Sequence, residues 1–313
     1  IVRRTSRLAD GPDIARRSVG GEEDRLAAMS TNLSPGGRSY TLGERIRAHL
    51  SIARFDHWVK NVFVLPGVVV AWSVTPGVDV ATLLPDLLLG MLAVGLVASS
   101  NYVLNEILDA PYDREHPRKR DRPAACGSVA IPLGYAQWLA MGACGIALSW
   151  RISEPLALTN GALWIMGVVY NVPPIRTKEL PYIDVMSEAI NNPLRMLAGW
   201  YIVRSAAPPP ASLLAAYWMI GCYFLALKRF AEYRDIGDKE TSIAYRRSFR
   251  YYDDVRLIVS TMFYASLGML MFGAFIVRYR LELILAFPLV AVVMAIYQRL
   301  SFQPNSAAQR PEA

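Results

Sequence analysis

Oxygen-bearing side chains recur at a helical spacing near the middle of the chain. Asn105, Asp109 and Asp113 follow one another every fourth residue, and a helix of about 3.6 residues per turn places such positions on one face. One amide and two carboxylates provide only oxygen ligands. Such ligands suit Mg²⁺, which commonly binds through one or two carboxylates plus substrate phosphates. The spacing therefore predicts that these three residues ligate a metal ion.

Cationic side chains follow this acidic face in the next loop. Lys119 and Arg122 can pair with the remaining oxygens of a metal-bound phosphate. Acids and bases in one short loop fit a metal-bridged diphosphate, since a bare metal or a bare anion would need only one sign of charge. The alternative is a solvated loop whose charges neutralise each other. We interpret His116, the histidine nearest to this cluster, as a loop residue.

A second acidic cluster argues against that alternative. Glu232, Asp235 and Asp238 are spaced by three residues, and Lys228 precedes them. An even number of predicted membrane spans separates the two clusters, so both lie on the same side of the membrane. We therefore predict that the second cluster holds another metal ion beside the first.

The elements that position these clusters are predicted to be membrane-spanning helices. Of the 313 residues, 53% are hydrophobic and 19% are charged, and the mean hydropathy is +0.25. Soluble domains of this size seldom have such a composition. The sequence predicts an all-α, polytopic transmembrane bundle of about eight or nine spans, at roughly 20 apolar residues each. The candidate spans are residues 61–75, 84–104, 131–150, 155–172, 183–203, 211–228, 255–277 and 281–299.

The distribution of basic residues predicts the orientation. Most of the 33 Lys and Arg residues fall on the side of the N-terminus, and the opposite side receives only Arg151, Arg204, Arg278 and Arg280. The positive-inside rule then places the N-terminus and both acidic clusters in the cytoplasm, in the cell membrane if the source is prokaryotic. Loop sidedness explains the net charge of +7, so we expect the lipid bilayer, and no nucleic acid, as a partner.

Composition also predicts three regions. Residues 1–44 are polar and lack an apolar core, which indicates a disordered cytosolic tail rather than a signal peptide. Residues 45–300 form the transmembrane domain, and residues 301–313 form a disordered C-terminal tail. The three cysteines are scattered singly, which excludes a disulfide framework and a CxxC zinc site. The sequence also lacks the P-loop, zincin, nucleophile-elbow and dinucleotide motifs.

The fifth predicted span is unusually polar. Asp184, Glu188, Asn191, Asn192 and Arg195 recur at a spacing of about three to four residues, which gives one polar face. Ionisable groups inside a membrane are costly and normally face a cavity. One interpretation is an ion pair between Glu188 and Arg195 that holds helices together. The other is that Arg195 helps to hold a phosphate or the acceptor molecule of a group-transfer reaction.

The segment from Asn105 to Pro123 resembles the first aspartate-rich motif of the UbiA superfamily of membrane prenyltransferases, NDxxDxxxD followed by KxxRP. The Glu232–Asp238 segment resembles the family's second acidic motif, and the loop from Tyr170 to Lys178, followed by Asp184, resembles its Tyr/Lys loop. Two departures stand out. Glu106 replaces the usual Asp, and Pro111 removes a backbone donor, so we expect the helix to end or kink there.

The resemblance implies a helical bundle around a central cavity, with Mg²⁺-diphosphate at its cytosolic mouth and an isoprenoid chain inside. It spans about residues 45–300 as a UbiA-like transferase domain. The implied catalytic residues are Asp109, Asp113, Lys119, Arg122, Tyr170 and Lys178. The implied substrate-binding residues are Asn105, Lys119, Arg122, Lys178, Asp184, Arg195 and Lys228. The implied metal ligands are Asn105, Asp109, Asp113, Glu232, Asp235 and Asp238.

The leading hypothesis is Mg²⁺-dependent transfer of an isoprenoid group from a prenyl or polyprenyl diphosphate to a small-molecule acceptor. The first alternative is phosphoribosyl transfer from phosphoribosyl diphosphate to a polyprenyl phosphate. It rests on the similarity of residues 57–62, 113–120 and 228–232 to the decaprenyl-phosphate phosphoribosyltransferase branch. Terpene cyclisation and a transporter are more distant alternatives. Transport sites usually lie near the bilayer midplane, whereas these acidic clusters lie at the ends of spans.

Overall fold

The computed structural model describes residues 40–114, 119–304 and 306, and the regular structure within these ranges is entirely helical. The predicted N-terminal tail up to residue 39, His116, residue 305 and the C-terminal residues 307–313 lie outside the described residues.

The helices follow one another with short connections. The α-helices are α1 Leu42–Ile52, α2 Leu65–Val74, α3 Val80–Asp113, α4 Ile131–Ile152, α5 Glu154–Asn171, α6 Ile183–Ala189, α7 Asn191–Ile202, α8 Ala211–Ile236, α9 Lys239–Tyr245, α10 Asp254–Tyr279 and α11 Ala286–Ser301. The 3₁₀ helices are Phe55–Val64, Thr177–Glu179, Arg247–Arg250 and Leu281–Leu285.

Six helical segments in the described part of the chain are long and apolar enough to cross a membrane. They are Leu42–Val74, Val80–Asp113, Ile131–Ile152, Ala211–Ile236, Asp254–Tyr279 and Leu281–Ser301. The prediction of an all-helical, multi-pass membrane protein is confirmed. The predicted fourth and fifth spans correspond to α5 and to the pair α6 and α7, which are not among these six. The count of eight or nine and the cytoplasmic orientation stay predictions.

The two largest of the four apolar clusters in the described part of the chain lie between the long helices. One is formed by side chains of α2, α3, α5 and α7, with Trp200 among the largest. The other is formed by α6, α8, α10 and α11 around Tyr223 and Tyr264. The long helices α8 and α10 pack along each other, as do α3 and α4. The polar residues of interest lie on α3, α5, α6, α7 and α8 and in the segments that follow α3, α5, α8 and α9.

Pro111 does not end its helix, whereas Pro193 lies beside a break in the predicted fifth span. The expected end or kink at Pro111 is not where α3 ends, because the helix continues to Asp113 and the Arg114 amide donates to the Ala110 carbonyl at 3.2 Å. The predicted fifth span is instead divided at Ile190. Pro193 has no amide hydrogen to donate to the carbonyl one turn earlier, which favours a break there.

Glycines allow α2 and α7 to approach each other closely. A Cβ atom built on Gly67 would lie 1.8 Å from the Met196 carbonyl oxygen, and one on Gly199 would lie 2.0 Å from the Val64 carbonyl oxygen. Both neighbours are backbone atoms and cannot rotate away. This crossing therefore requires glycine at both positions, and it fixes where α7 lies beside the first membrane segment.

We predict that Gly199→Ala lowers the free energy of unfolding by about 1–3 kcal/mol, because the added methyl group overpacks this crossing. The matched control is Gly161→Ala on α5, where an added Cβ meets nothing within 4 Å. Alanine's higher helix propensity should there leave stability unchanged or raise it by up to about 1 kcal/mol. Unfolding in detergent by heat or denaturant measures both, and equal behaviour of the two variants would contradict the proposed crossing.

Candidate active site

Asp109 joins α3 to the loop that follows α5. Its Oδ1 atom accepts hydrogen bonds from Lys178 Nζ at 2.6 Å and from a terminal guanidinium nitrogen of Arg176 at 2.8 Å. Its Oδ2 atom accepts from Asn105 Nδ2 at 3.2 Å. Asn105 and Asp109 thus share one face of α3, as their spacing predicted, and two cations compensate this carboxylate.

Asn171, the last residue of α5, orients the groups around Asp109. Its side-chain oxygen accepts from Asn105 Nδ2 at 2.5 Å and from Lys178 Nζ at 2.9 Å. Its backbone oxygen accepts from Arg176 at 3.0 Å. Burial lowers the pKa of Lys178 to about 8, and the neighbouring Asp109 carboxylate opposes that effect. Asn171 and Arg176 were not singled out from the sequence, although both lie within the Tyr/Lys loop from Tyr170 to Lys178.

Asp113 forms a second ion pair one turn further along α3. Arg122 donates to Asp113 Oδ2 at 2.8 Å, so in this structure the loop cation pairs with the carboxylate. The predicted role of Arg122 toward a phosphate stays a prediction. Lys119 lies with its ammonium 4.9 Å from the centre of the Tyr245 ring, and burial lowers its pKa. Glu106 accepts from the Ala124 amide at 3.4 Å, so it contacts the loop after α3.

Arg229 on α8 is the centre of a buried charge network. Its side chain is only 1% exposed and lies within 4 Å of three carboxylates. The distances are 3.6 Å to Asp184, 2.5 Å to Glu188 and 3.5 Å to Glu232. The network therefore ties α6 to α8, and it compensates acidic groups that both helices bury.

Asp184 is a supporting residue in this structure. It is completely buried, and its carboxylate accepts from Tyr252 OH at 2.8 Å and from Ser248 Oγ at 3.1 Å. Its contacts in this structure are with protein groups, and the substrate-binding role predicted from the sequence stays a prediction. Its position is explained by the need to pair a buried carboxylate, which Arg229 and two hydroxyl groups satisfy.

Glu188 and Arg195 do not form the ion pair considered from the sequence, and that interpretation is wrong. Glu188 accepts instead from Tyr170 OH at 2.9 Å and pairs with Arg229. Lys228, a predicted substrate-binding residue, is half-buried and interacts electrostatically with Glu188. Arg195 is buried on α7 and has no carboxylate within 4 Å among the residues that the structure describes.

The segment after α9 connects the two acidic regions, which sequence analysis did not foresee. Arg246 is half-buried and interacts electrostatically with Glu188, Lys119 and Lys178. Arg247 donates to Glu179 at 3.1 Å. The only sequence signal was the pair of adjacent arginines, which we interpreted as part of the cytoplasmic charge excess.

The second acidic cluster is divided between a buried and two exposed positions. Glu232 is buried against Arg229, whereas Asp235 and Asp238 are exposed. Asp238 caps α9, because its Oδ2 atom accepts from the Thr241 amide at 2.8 Å and from the Thr241 hydroxyl at 2.7 Å. These hydrogen bonds lower the pKa of Asp238. A second metal ion bound by Glu232, Asp235 and Asp238 stays a prediction.

The donor set around α3 fits Mg²⁺ held jointly by protein and substrate. Within residues 40–114, 119–304 and 306, no three His, Cys, Asp or Glu side chains are grouped to hold a metal by themselves. Asp109 and Asp113, with the Asn105 amide, offer oxygen ligands from one helix face. Mg²⁺ typically takes one or two carboxylates and completes its coordination with water and phosphate oxygens. A diphosphate held by the adjacent cations would supply the missing ligands.

Comparison with known proteins decides the family. The sequence model of the UbiA prenyltransferase family matches residues 61–312. The chain belongs to this family. As a UbiA protein it is a membrane-embedded transferase, which confirms the family resemblance and the enzyme class predicted from the sequence.

Curated relatives and solved structures extend this result. The chain is similar to decaprenyl-phosphate phosphoribosyltransferase of Mycobacterium tuberculosis, with 29% identity over 200 residues that cover 64% of each chain. The enzyme of that name from Corynebacterium glutamicum is 30% identical over 57% of this chain and 52% of its own length. The match thus spans less than two thirds of either relative. A UbiA homolog from Archaeoglobus fulgidus bound to DMAPP and Mg²⁺ has the same fold, with a TM-score of 0.65, 22% identity and coverage of 80% of this chain and 85% of that one.

We predict that Arg229→Gln lowers the free energy of unfolding by about 3–5 kcal/mol, because it leaves buried carboxylates without their counter-charge. Arg256→Gln is the control, since Arg256 forms an exposed ion pair with Asp253 at 3.3 Å. Such pairs contribute at most about 1 kcal/mol. Denaturant unfolding of the two variants in the same detergent measures the difference, and a wild-type midpoint for Arg229→Gln would refute the network's stabilising role.

Proposed function

We propose that this UbiA protein transfers a phosphoribosyl group from phosphoribosyl diphosphate to a polyprenyl phosphate in a Mg²⁺-dependent reaction. The observation that carries the proposal is a series of neighbouring polar side chains that runs from Asp109 through Lys178 and Tyr170 to Glu188. The Lys178 ammonium lies 5.9 Å from the centre of the Tyr170 ring, and Tyr170 donates to Glu188. The hydroxyl groups of a sugar can exchange hydrogen bonds with the hydroxyl and carboxylate groups of this series, whereas an isoprenoid tail has no polar group to do so.

The cations of the site are suited to the diphosphate of this donor. Lys119, Arg122, Arg176 and Lys178 all lie beside the carboxylates of α3, and Arg246 approaches from the segment after α9. In the transfer, an acceptor phosphate oxygen forms a bond to the anomeric carbon of the ribose. The bond from that carbon to the diphosphate breaks, and the diphosphate leaves with the electron pair. These side chains would stabilise the charge that develops on it.

Bound Mg²⁺ would add charge neutralisation at the diphosphate, with Asp109, Asp113 and Asn105 as its protein ligands. A cytoplasmic position for this mouth accords with a soluble, charged donor, and it is the orientation that the basic residues predict. The relatives from Mycobacterium tuberculosis and Corynebacterium glutamicum carry the name of this activity and support the proposal.

Prenyl transfer from a prenyl diphosphate is the second candidate. The Archaeoglobus fulgidus homolog was solved with DMAPP and Mg²⁺, and the same cation-lined mouth can hold that diphosphate. In the sequence, the acids Asp235 and Asp238 and the Pro-Pro-x-x-x-Lys loop that ends at Lys178 favour this candidate. Both acids lie exposed in the structure.

The donor assay separates the two candidates. Purified protein with Mg²⁺ is incubated with phosphoribosyl diphosphate and polyprenyl phosphate, and separately with prenyl diphosphates and aromatic or lipid acceptors. We expect a phosphoribosylated lipid in the first mixture and no product in the second. Product in the second mixture alone would overturn the proposal in favour of prenyl transfer.

We predict that Asp109→Asn reduces turnover by at least about 100-fold, because it removes a metal-ligating charge and unbalances Lys178 and Arg176. The control is Asp121→Asn, an exposed acid in the loop after α3, which should stay within a few-fold of wild type. A chelator should abolish wild-type turnover, and added Mg²⁺ should restore it. Turnover by Asp109→Asn near the wild-type rate, or insensitivity to the chelator, would rule out the metal role.

A further inference from the structure

Arg195 is a buried cation without a counter-charge. It lies on α7 and is 8% exposed, and its Nε atom has no hydrogen-bond partner. None of the described carboxylates lies within ion-pairing distance of it, in contrast to Arg229. An unpaired charge in this position is costly. A buried guanidinium without a carboxylate partner indicates that an anionic ligand binds beside it and supplies the missing negative charge.

The surroundings of Arg195 are polar and come from several elements. The hydroxyl groups of Tyr102 on α3 and Tyr217 on α8 lie near its guanidinium. The 3₁₀ helix Phe55–Val64 packs against both α3 and α7. The same helix contains the segment whose sequence resembles the phosphoribosyltransferase branch.

An apolar groove shares Tyr217 with the surroundings of Arg195. It has a volume of about 550 Å³ and is lined by Val62, Phe63, Leu65, Pro66, Val69, Val70 and Tyr217. Tyr217 belongs to both regions, since it lines the groove and its hydroxyl group lies near Arg195. The groove lies between the membrane segments Leu42–Val74 and Ala211–Ile236. Its apolar walls are exposed, with Val69 at 61% and Val62 at 50%, so a lipid chain can reach it from the bilayer.

We propose that Arg195 binds the phosphate of the polyprenyl phosphate acceptor, whose first isoprene units lie in this groove. The proposal rests on the proposed function, because that function makes a lipid phosphate the acceptor. Charge complementarity supports this occupant, since a phosphate pairs with the guanidinium while the chain covers the apolar walls. Arg195 lies outside the ion-pair networks of Asp109 and Arg229, so the acceptor phosphate has a cation of its own.

Direct binding tests the assignment without turnover. Purified full-length protein in lipid nanodiscs is titrated with radiolabelled undecaprenyl phosphate in the absence of donor and Mg²⁺. We expect Arg195→Gln to weaken binding at least tenfold, and Arg195→Lys to weaken it less. The control is Arg204→Gln, which breaks an exposed ion pair with Asp86 and should bind as wild type does. Undecaprenol, which lacks the phosphate, should not distinguish Arg195→Gln from wild type.

Thermal unfolding shows whether the variant is folded. Ligand-free Arg195→Gln should melt at or above the wild-type temperature, because the substitution removes an uncompensated buried charge. Undecaprenyl phosphate should raise the melting temperature of wild type and not that of the variant. A second variant, Val69→Trp, fills the groove at an exposed position and should weaken binding of undecaprenyl phosphate more than that of a short prenyl phosphate. Wild-type affinity in both variants would overturn the assignment.

The kinetic assay distinguishes failure of this assignment from failure of the proposed function. If phosphoribosyl transfer occurs and Arg195→Gln has an unchanged KM for the lipid, the acceptor-site assignment is wrong and the function stands. If no transfer occurs although binding of undecaprenyl phosphate depends on Arg195, the proposed function is wrong and the lipid-phosphate site stands. With both correct, Arg195→Gln raises the KM for the lipid at least tenfold and leaves that for phosphoribosyl diphosphate within a few-fold of wild type.

Discussion

Charge compensation inside an apolar bundle is the constraint on which the rest of this structure depends. A carboxylate buried among helices is tolerated only where a cation or several hydrogen-bond donors reach it. Asp109 is met by Lys178 and Arg176, and the acids of α6 and α8 are met by Arg229. The pairs of Asp109 with the loop after α5, and of the α6 acids with Arg229, join elements that are distant in sequence. The contacts that make these charges tolerable therefore also fix where the elements lie.

These pairs also prepare the site for a charged substrate. Without a diphosphate, the cations beside α3 neutralise the carboxylates. With Mg²⁺ and diphosphate bound, we expect the carboxylates to hold the metal and the cations to hold phosphate oxygens, so that charge balance is kept in both states. Asn171 contributes because its side-chain oxygen holds both Asn105 and Lys178. The site can therefore bind a highly charged donor with little rearrangement of its backbone.

Sequence periodicity predicted the part of the site that lies on one helix. Asn105, Asp109 and Asp113 were found because a regular spacing on α3 determines which side chains share a face. Arg176 and Arg246 were not found, because they lie in loops whose paths are set by tertiary contacts rather than by a repeat. The partner of Glu188 was misassigned for a related reason. Arg195 is closer in sequence, but the break at Ile190 separates the helices that carry the two residues, and only packing shows that Arg229 faces Glu188.

The contrast between two buried arginines shows how structure and proposed chemistry are connected. Arg229 is surrounded by carboxylates and needs no ligand to balance its charge. Arg195 has no carboxylate within ion-pairing distance among the described residues, and it lies near Tyr217, which lines an apolar groove. The proposed reaction brings together two anions, a diphosphate donor and a lipid phosphate, which repel each other in a medium of low dielectric constant. One cation cluster cannot serve both without holding the phosphates against each other. Separate cations, one group at the mouth beside α3 and one at the inner end of a lipid groove, allow both anions to bind before the bond between them forms.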